Sequence, residues 1–177
     1  METCVLDKKI SFLIFLVPFL VSCAAKDVTS DAFAAKIADK CFKVTKDLNI
    51  YEIKGSDKDK VSSFSSSYLM IGDPSEKQRF TKTGKFIGTV KNGEMLLITK
   101  VIDFPYGSAG NCWVVKARHK NTKGKLLEIP SCWVWDQPIW IEPLSPIEQK
   151  NTDKELLIKA EQLKEVPRGN CSAQVSK

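Results

Sequence analysis

Hydrophobic residues are unevenly spaced along this chain, and the spacing changes character several times. Ile10 to Val21 is a nearly unbroken apolar run, interrupted by Ser11 and Pro18 and preceded by Lys8 and Lys9. It falls short of the ~20 apolar residues that a membrane-crossing helix needs. Its length fits the apolar region of a secretory signal. A short polar tether, residues 23–29, follows. Ser30 then stands as an N-cap ahead of Phe33, Ile37 and Cys41, whose four-residue spacing predicts one face of a helix. Val44, Leu48, Ile50 and Ile53 predict a strand. Residues 55–84 are rich in Ser, Lys and Asp, with one apolar knot at Tyr68–Ile71, and predict a long loop holding a short strand.

From Lys85 the pattern becomes β. Two apolar runs flank Asn92-Gly93, a hairpin signal. In "CWVVKARHK", Trp113, Val115, Ala117 and His119 face one way, and Lys116, Arg118 and Lys120 the other. "KLLEIPSCWVW" predicts the return strand, with Pro130 marking an edge or bulge. A proline-punctuated segment leads to Thr152-x-x-Glu155, which reads as a capping box. It opens an amphipathic helix over about 153–165 through Leu156, Leu157, Ala160 and Leu163.

The end of the first apolar run carries an address. Leu20-Val21-Ser22-Cys23 resembles the bacterial lipobox, in which a signal peptidase cuts just ahead of a lipid-modified cysteine. The resemblance implies that residues 1–22 are removed and that the Cys23 thiol takes a diacylglyceryl group, with its new amine usually acylated as well. Each buried CH₂ adds ~0.8 kcal/mol, so two or three chains hold a protein on a bilayer. Ala24 stands where an Asp favours inner-membrane retention in Gram-negative lipoproteins, which implies the outer membrane, periplasmic face. An ordinary secretory signal with Cys23 as a bystander is the competing reading.

Composition narrows the partners. Residues 1–22 contain Glu2, Asp7, Lys8 and Lys9, so their removal leaves the net charge of +6 unchanged. The remaining 155 residues (177 − 22) suit one globular domain over 30–177. An exported chain whose only guanidinium groups are Arg79, Arg118 and Arg168 argues against nucleic acid. The scattered lysines read first as a solvated surface, and second as a weak attraction to anionic lipid or acidic envelope polymers.

Four cysteines remain in the exported chain, Cys41, Cys112, Cys132 and Cys171, which read as two disulfides with three pairings open. Cys112 and Cys132 each begin a Cys-Trp pair and flank the turn-rich "KNTKGK". If the chain folds back near Thr122 they stand opposite each other, within disulfide range. That register also sets Lys116 opposite Glu128. Cys41 and Cys171 would then clasp the two ends of the domain. Metal binding is the competing use of four cysteines. No Cys-x-x-Cys spacing occurs, and neither a metal nor a cofactor is expected.

The β region resembles bacterial SH3-like domains. Leu48-Asn49-Ile50, Gly88-Thr89, Gly93, Trp113 and Trp133-Val134 stand in the order of that family's strand and turn motifs. The resemblance implies a mainly β fold: a small SH3-like β-barrel over about 43–142, with flanking N- and C-terminal helices (α+β overall). The long first loop, the helices and the cysteines depart from the family pattern.

Catalytic chemistry is sparse. His119 is the only histidine, so a Ser-His-Asp or Cys-His site would have to use it. On an alternating strand it reads as a packed or rim residue. Asp103 and Asp136 have no spacing that singles them out for glycoside hydrolysis. No nucleophile, zinc or phosphate-loop motif occurs. The chain therefore reads as a non-enzyme. Trp113, Trp133, Trp135 and Trp140 all fall within 28 residues and are candidates for an aromatic binding platform; the alternative places them in the core. The expectation is an outer-membrane-anchored periplasmic lipoprotein that binds peptidoglycan peptide or an envelope protein. An inhibitor or immunity-type lipoprotein that neutralises an envelope enzyme or toxin is the alternative.

Overall fold

A computed structural model of the chain describes residues 25–54, 67–75, 84–107, 110–132 and 139–172. Cys23, Trp133, Trp135, Asp136 and most of the 55–84 segment lie outside them. The described strands are β1 (Lys26–Asp27), β2 (Cys41–Val44), β3 (Leu48–Lys54), β4 (Ser67–Gly72), β5 (Gly84–Val90), β6 (Met95–Gly107), β7 (Gly110–Arg118), β8 (Leu127–Ile129), β9 (Ile141–Glu142), β10 (Leu157–Ile158) and β11 (Leu163–Val166). One α-helix, α1 (Pro146–Thr152), stands among them.

Nine strands form one mixed sheet in the order β11-β2-β6-β7-β8-β4-β3-β5, with β1 added on β6; β9 and β10 form a separate ribbon. The pairing is antiparallel except between β4 and β8, where Leu69 and Met70 run parallel to Leu127 and Glu128. The sheet does not close, because β5 and β11 stand at opposite ends of its strand order. A mainly β chain is therefore correct, whereas a small SH3-like barrel with flanking helices is not.

Three local events account for the difference. The strand expected through Val44 to Ile53 bends at Thr45–Asp47 and becomes two, which take different neighbours. The Asn92-Gly93 turn forms, with Gly93 at φ 89°, where a residue without Cβ is favoured. Its arms nevertheless diverge: β5 pairs with β3, and β6 with β2. Gly93 N–H donates to Val44 O and Val44 N–H to Glu94 O, both at 2.8 Å, so the bend of one segment clasps the turn of the other.

The expected helices are the second event. Residues 30–39 fold as turns around a single 3₁₀ turn, Ala32–Ala34, and Cys41 begins β2, although Phe33 and Ile37 do point inward. The third event shifts the C-terminal helix toward the N-terminus. Ser145 Oγ accepts from Glu148 N–H at 3.2 Å while Glu148 Oε2 accepts from Leu144 N–H at 2.9 Å, so the capping box is Ser145 to Glu148, with Pro146 at N1. Thr152 ends this helix and Asp153 takes the left-handed conformation after it. Residues 157–166 then add β10 and β11, where the helix was expected.

The main core lies on one face of the sheet. Trp113, Val115 and Ala117 of β7 meet Leu48, Ile71, Leu96, Ile98, Leu127 and Ile129, with Ile141 and Leu156 closing over them. β7 pairs with β8 in the expected register, Lys116 opposite Glu128. Cys112 is bonded to Cys132 and Cys41 to Cys171, as that register and elimination required.

Candidate functional site

Trp113 and Trp140 are 1% and 2% exposed. Trp113 lies 5.6 Å from Phe33, centroid to centroid, and its Nε1–H donates to Pro143 O at 2.9 Å. These two tryptophans are core, which removes them from the aromatic platform. The other two candidates, Trp133 and Trp135, lie outside the described residues.

His119 is also structural. Its side chain is buried, and Nε2 stands 3.2 Å from Glu94 Oε2. Glu94 in turn takes the Lys120 ammonium at 2.9 Å and Lys91 N–H at 2.8 Å. Burial is the main force on the imidazole and lowers its pKa, against the pull of Glu94. Burial alone would raise Glu94; the bonds from Lys91 and Lys120 and the proximity of His119 outweigh it and hold the carboxylate below its usual range. With its side chain buried and Nδ1 without a partner among the described residues, the imidazole presents neither ring nitrogen to solvent.

Two buried carboxylates behave oppositely. Asp73, 1% exposed, accepts from Ser75 N–H, Ser75 Oγ and Gln162 Nε2 at 2.7–2.8 Å and from the Lys46 ammonium. Burial raises its pKa, but these donors prevail and hold it far below the usual carboxylate range. The contact ties the end of β4 to the turn before β11. Glu128 is pushed up to about 7 by burial, with Lys116 opposing. Its side chain lies on the sheet face away from the main core, beside Tyr68, whose hydroxyl is also raised by burial and by Glu128.

Neither carboxylate lines the described groove. The described groove, about 690 Å³, runs between Ala38–Cys41 and Glu165–Arg168 beside the Cys41–Cys171 bond. Its charges pair within it, Lys40 with Glu165 at 3.5 Å and Arg168 with Asp39 at 3.6 Å, so no free charge converges on a ligand. Among the described residues, no group of His, Cys, Asp or Glu is placed to hold a metal ion, and no helix is long and apolar enough to cross a membrane.

Surface features offer more than cavities. Phe86 and Ile87 of β5 are 54% and 45% exposed, and no described strand pairs with the outer edge of β5. Ile87 is the extra residue of a bulge, between Ile50 opposite Gly88 and Tyr51 opposite Phe86. Leu144, Ile147 and Leu157 form a second group of exposed apolar side chains. Sequence reasoning passed over both. The adjacent pair Phe86-Ile87 breaks strict alternation, which is the signal of a strand without a buried face.

The tether is shorter than expected. Lys26 and Asp27 pair with Asp103 and Ile102, Val28 is buried, and Thr29 Oγ accepts from Val101 N–H at 2.9 Å. Residues 26–29 therefore pack into the domain. Comparison with family models, with curated proteins and with solved structures returns no match to this chain.

Proposed function

We propose that the chain is a non-enzymatic lipoprotein of the bacterial envelope. Cys23 anchors it at the periplasmic face of the outer membrane, and it acts as a binding module for an envelope protein. The lipobox-like Leu20–Cys23 and the pairing of all four remaining cysteines support the address, since such bonds persist in oxidising compartments. The observation that carries the binding reading is β5. It is a sheet edge with two exposed apolar side chains on a bulged strand, and it offers backbone donors and acceptors to an extended segment of a partner. A protein partner accounts for that edge better than peptidoglycan peptide does, because strand addition uses main-chain bonds along several residues. The engagement of His119 with Glu94 supports the non-enzymatic reading.

A photo-crosslinking residue in place of Phe86, introduced into the full-length chain in cells, tests this reading. A discrete protein adduct is expected at position 86 and none at exposed Lys123. No adduct at 86, together with co-sedimentation of the wild type with purified murein, would contradict a protein partner.

A further inference from the structure

The described fold begins two residues after Cys23, at Ala25. A chain reaches at most ~3.3–3.6 Å per residue, so Cys23 lies within ~7 Å of Ala25 whatever path Ala24 takes. β1 runs antiparallel to β6 with Lys26 opposite Asp103, so the chain ahead of Lys26 starts from the β6–β7 hairpin end of the sheet. At that level Trp113 stands opposite Asp103. Its indole reaches Pro143, and the next residue is Leu144, 51% exposed. Ile147, three residues on in α1, is 57% exposed. Leu157, 41% exposed, sits across from Glu142 in the β9–β10 ribbon. Three of the five large exposed apolar side chains among the described residues thus fall around one short stretch, toward the end of the sheet from which the chain leads back to Cys23.

The charges around this surface balance, so apolar contact rather than net charge would hold it to a bilayer. Most acidic neighbours are engaged: Asp31 with Lys26, Glu155 with Lys36, Glu142 with Lys159, and Glu148 with Leu144 N–H. Lys150, at the next turn after Ile147, and Lys154 are exposed, and Glu148 and Asp153 offset them. Exposed apolar residues beside cations are the composition of an interfacial contact.

We propose that the Leu144–Ile147–Leu157 surface lies against the bilayer, with Leu144 and Ile147 among the phospholipid acyl chains and Lys150 and Lys154 at headgroup level. This rests on the reading of Cys23 as the lipidated residue. The anchor keeps this surface at the membrane, so weak apolar contacts suffice to orient the domain.

The mature, lipidated protein is reconstituted into vesicles of phosphatidylethanolamine and phosphatidylglycerol that carry a phospholipid with a diazirine in its acyl chain. After illumination, peptides are mapped by mass. Adducts are expected on the peptide bearing Leu144 and Ile147, and at least fivefold fewer in the double variant Leu144→Asp, Ile147→Asp. Both side chains are exposed, so the variant should keep its thermal melt. An acylated N-terminal peptide with no adducts at Leu144 or Ile147 would overturn the membrane-facing surface alone. An N-terminal peptide without acyl chains would remove the anchor, and this surface with it.

Discussion

Glu128 ionises with difficulty because it is buried on the sheet face opposite the main core. Its pKa near 7 in the folded chain compares with 4.5 for an ordinary Glu. Between those pH values the folded state holds a proton that the unfolded state has lost, so stability falls as pH rises through that window. The shift corresponds to roughly 3 kcal/mol at pH 8. Glu128→Gln is therefore expected to be nearly neutral at pH 4.5 and stabilising by about 1–3 kcal/mol at pH 8, in chemical denaturation at the two pH values. An equal effect at both would contradict the assignment. Asp73 has the opposite sign. Its folded pKa lies below the unfolded value of 3.8, so its contribution is complete above that pH and is lost as pH falls below it. Asp73→Asn should cost about 2–3 kcal/mol near neutrality and flatten the acid limb of the stability profile. If the variant instead unfolds with the same acid slope as wild type, Asp73 is not the group responsible. At this scale the sequence was informative where patterns were strict. Alternation put Trp113, Val115, Ala117 and His119 on one face, although Trp113 was also a candidate for the binding platform, and the Lys116–Glu128 register followed from the two Cys-Trp pairs. Neither role of Asp73 nor of Glu128 was legible, because each depends on burial and on contacts distant in sequence, such as Gln162 on Asp73 and Tyr68 beside Glu128.

Elements were legible when a local signal had no rival. The Asn92-Gly93 turn formed where it was expected, but the partners of its arms depend on the bend at Thr45–Asp47, which no local pattern announces. Leu156, Leu157, Ala160 and Leu163 fit helical spacing, yet Leu156, Ala160 and Leu163 are buried while Leu157 is exposed. The helix sits earlier because Ser145-Pro146 starts it and Asp153 ends it. Ser145→Ala should cost about 1 kcal/mol in thermal or urea unfolding; no measurable loss would contradict the cap. The two disulfides differ in the loops they close, 130 residues for Cys41–Cys171 and 20 for Cys112–Cys132. In the chain-entropy account the first contributes ~4–5 kcal/mol and the second ~3. Replacing Cys41 and Cys171 by Ala should therefore destabilise more than replacing Cys112 and Cys132. The reverse order in urea unfolding would show that native packing, not loop closure, sets their value.

For the whole molecule, the decisive relation is between the anchor and the fold. A lipid on Cys23 would sit only two residues from the described domain, so the domain would ride on the membrane rather than swing from a leash. On the proposed anchoring, the N-terminal end of β1 would face lipid and the β5 edge would remain for a partner. The barrel expected from the strand motifs failed at this scale. The motifs describe short segments, whereas closure depends on which strands meet, and here β11 and β1 extend the sheet instead. The intact mass of the protein extracted from washed envelopes, taken without reduction, tests the central claim most directly. The account predicts a chain starting at Cys23 that carries diacylglyceryl and an amide-linked acyl chain and lacks the thiol hydrogens of Cys41, Cys112, Cys132 and Cys171. A mass that retains residues 1–22, or that begins at Cys23 without lipid, would contradict it.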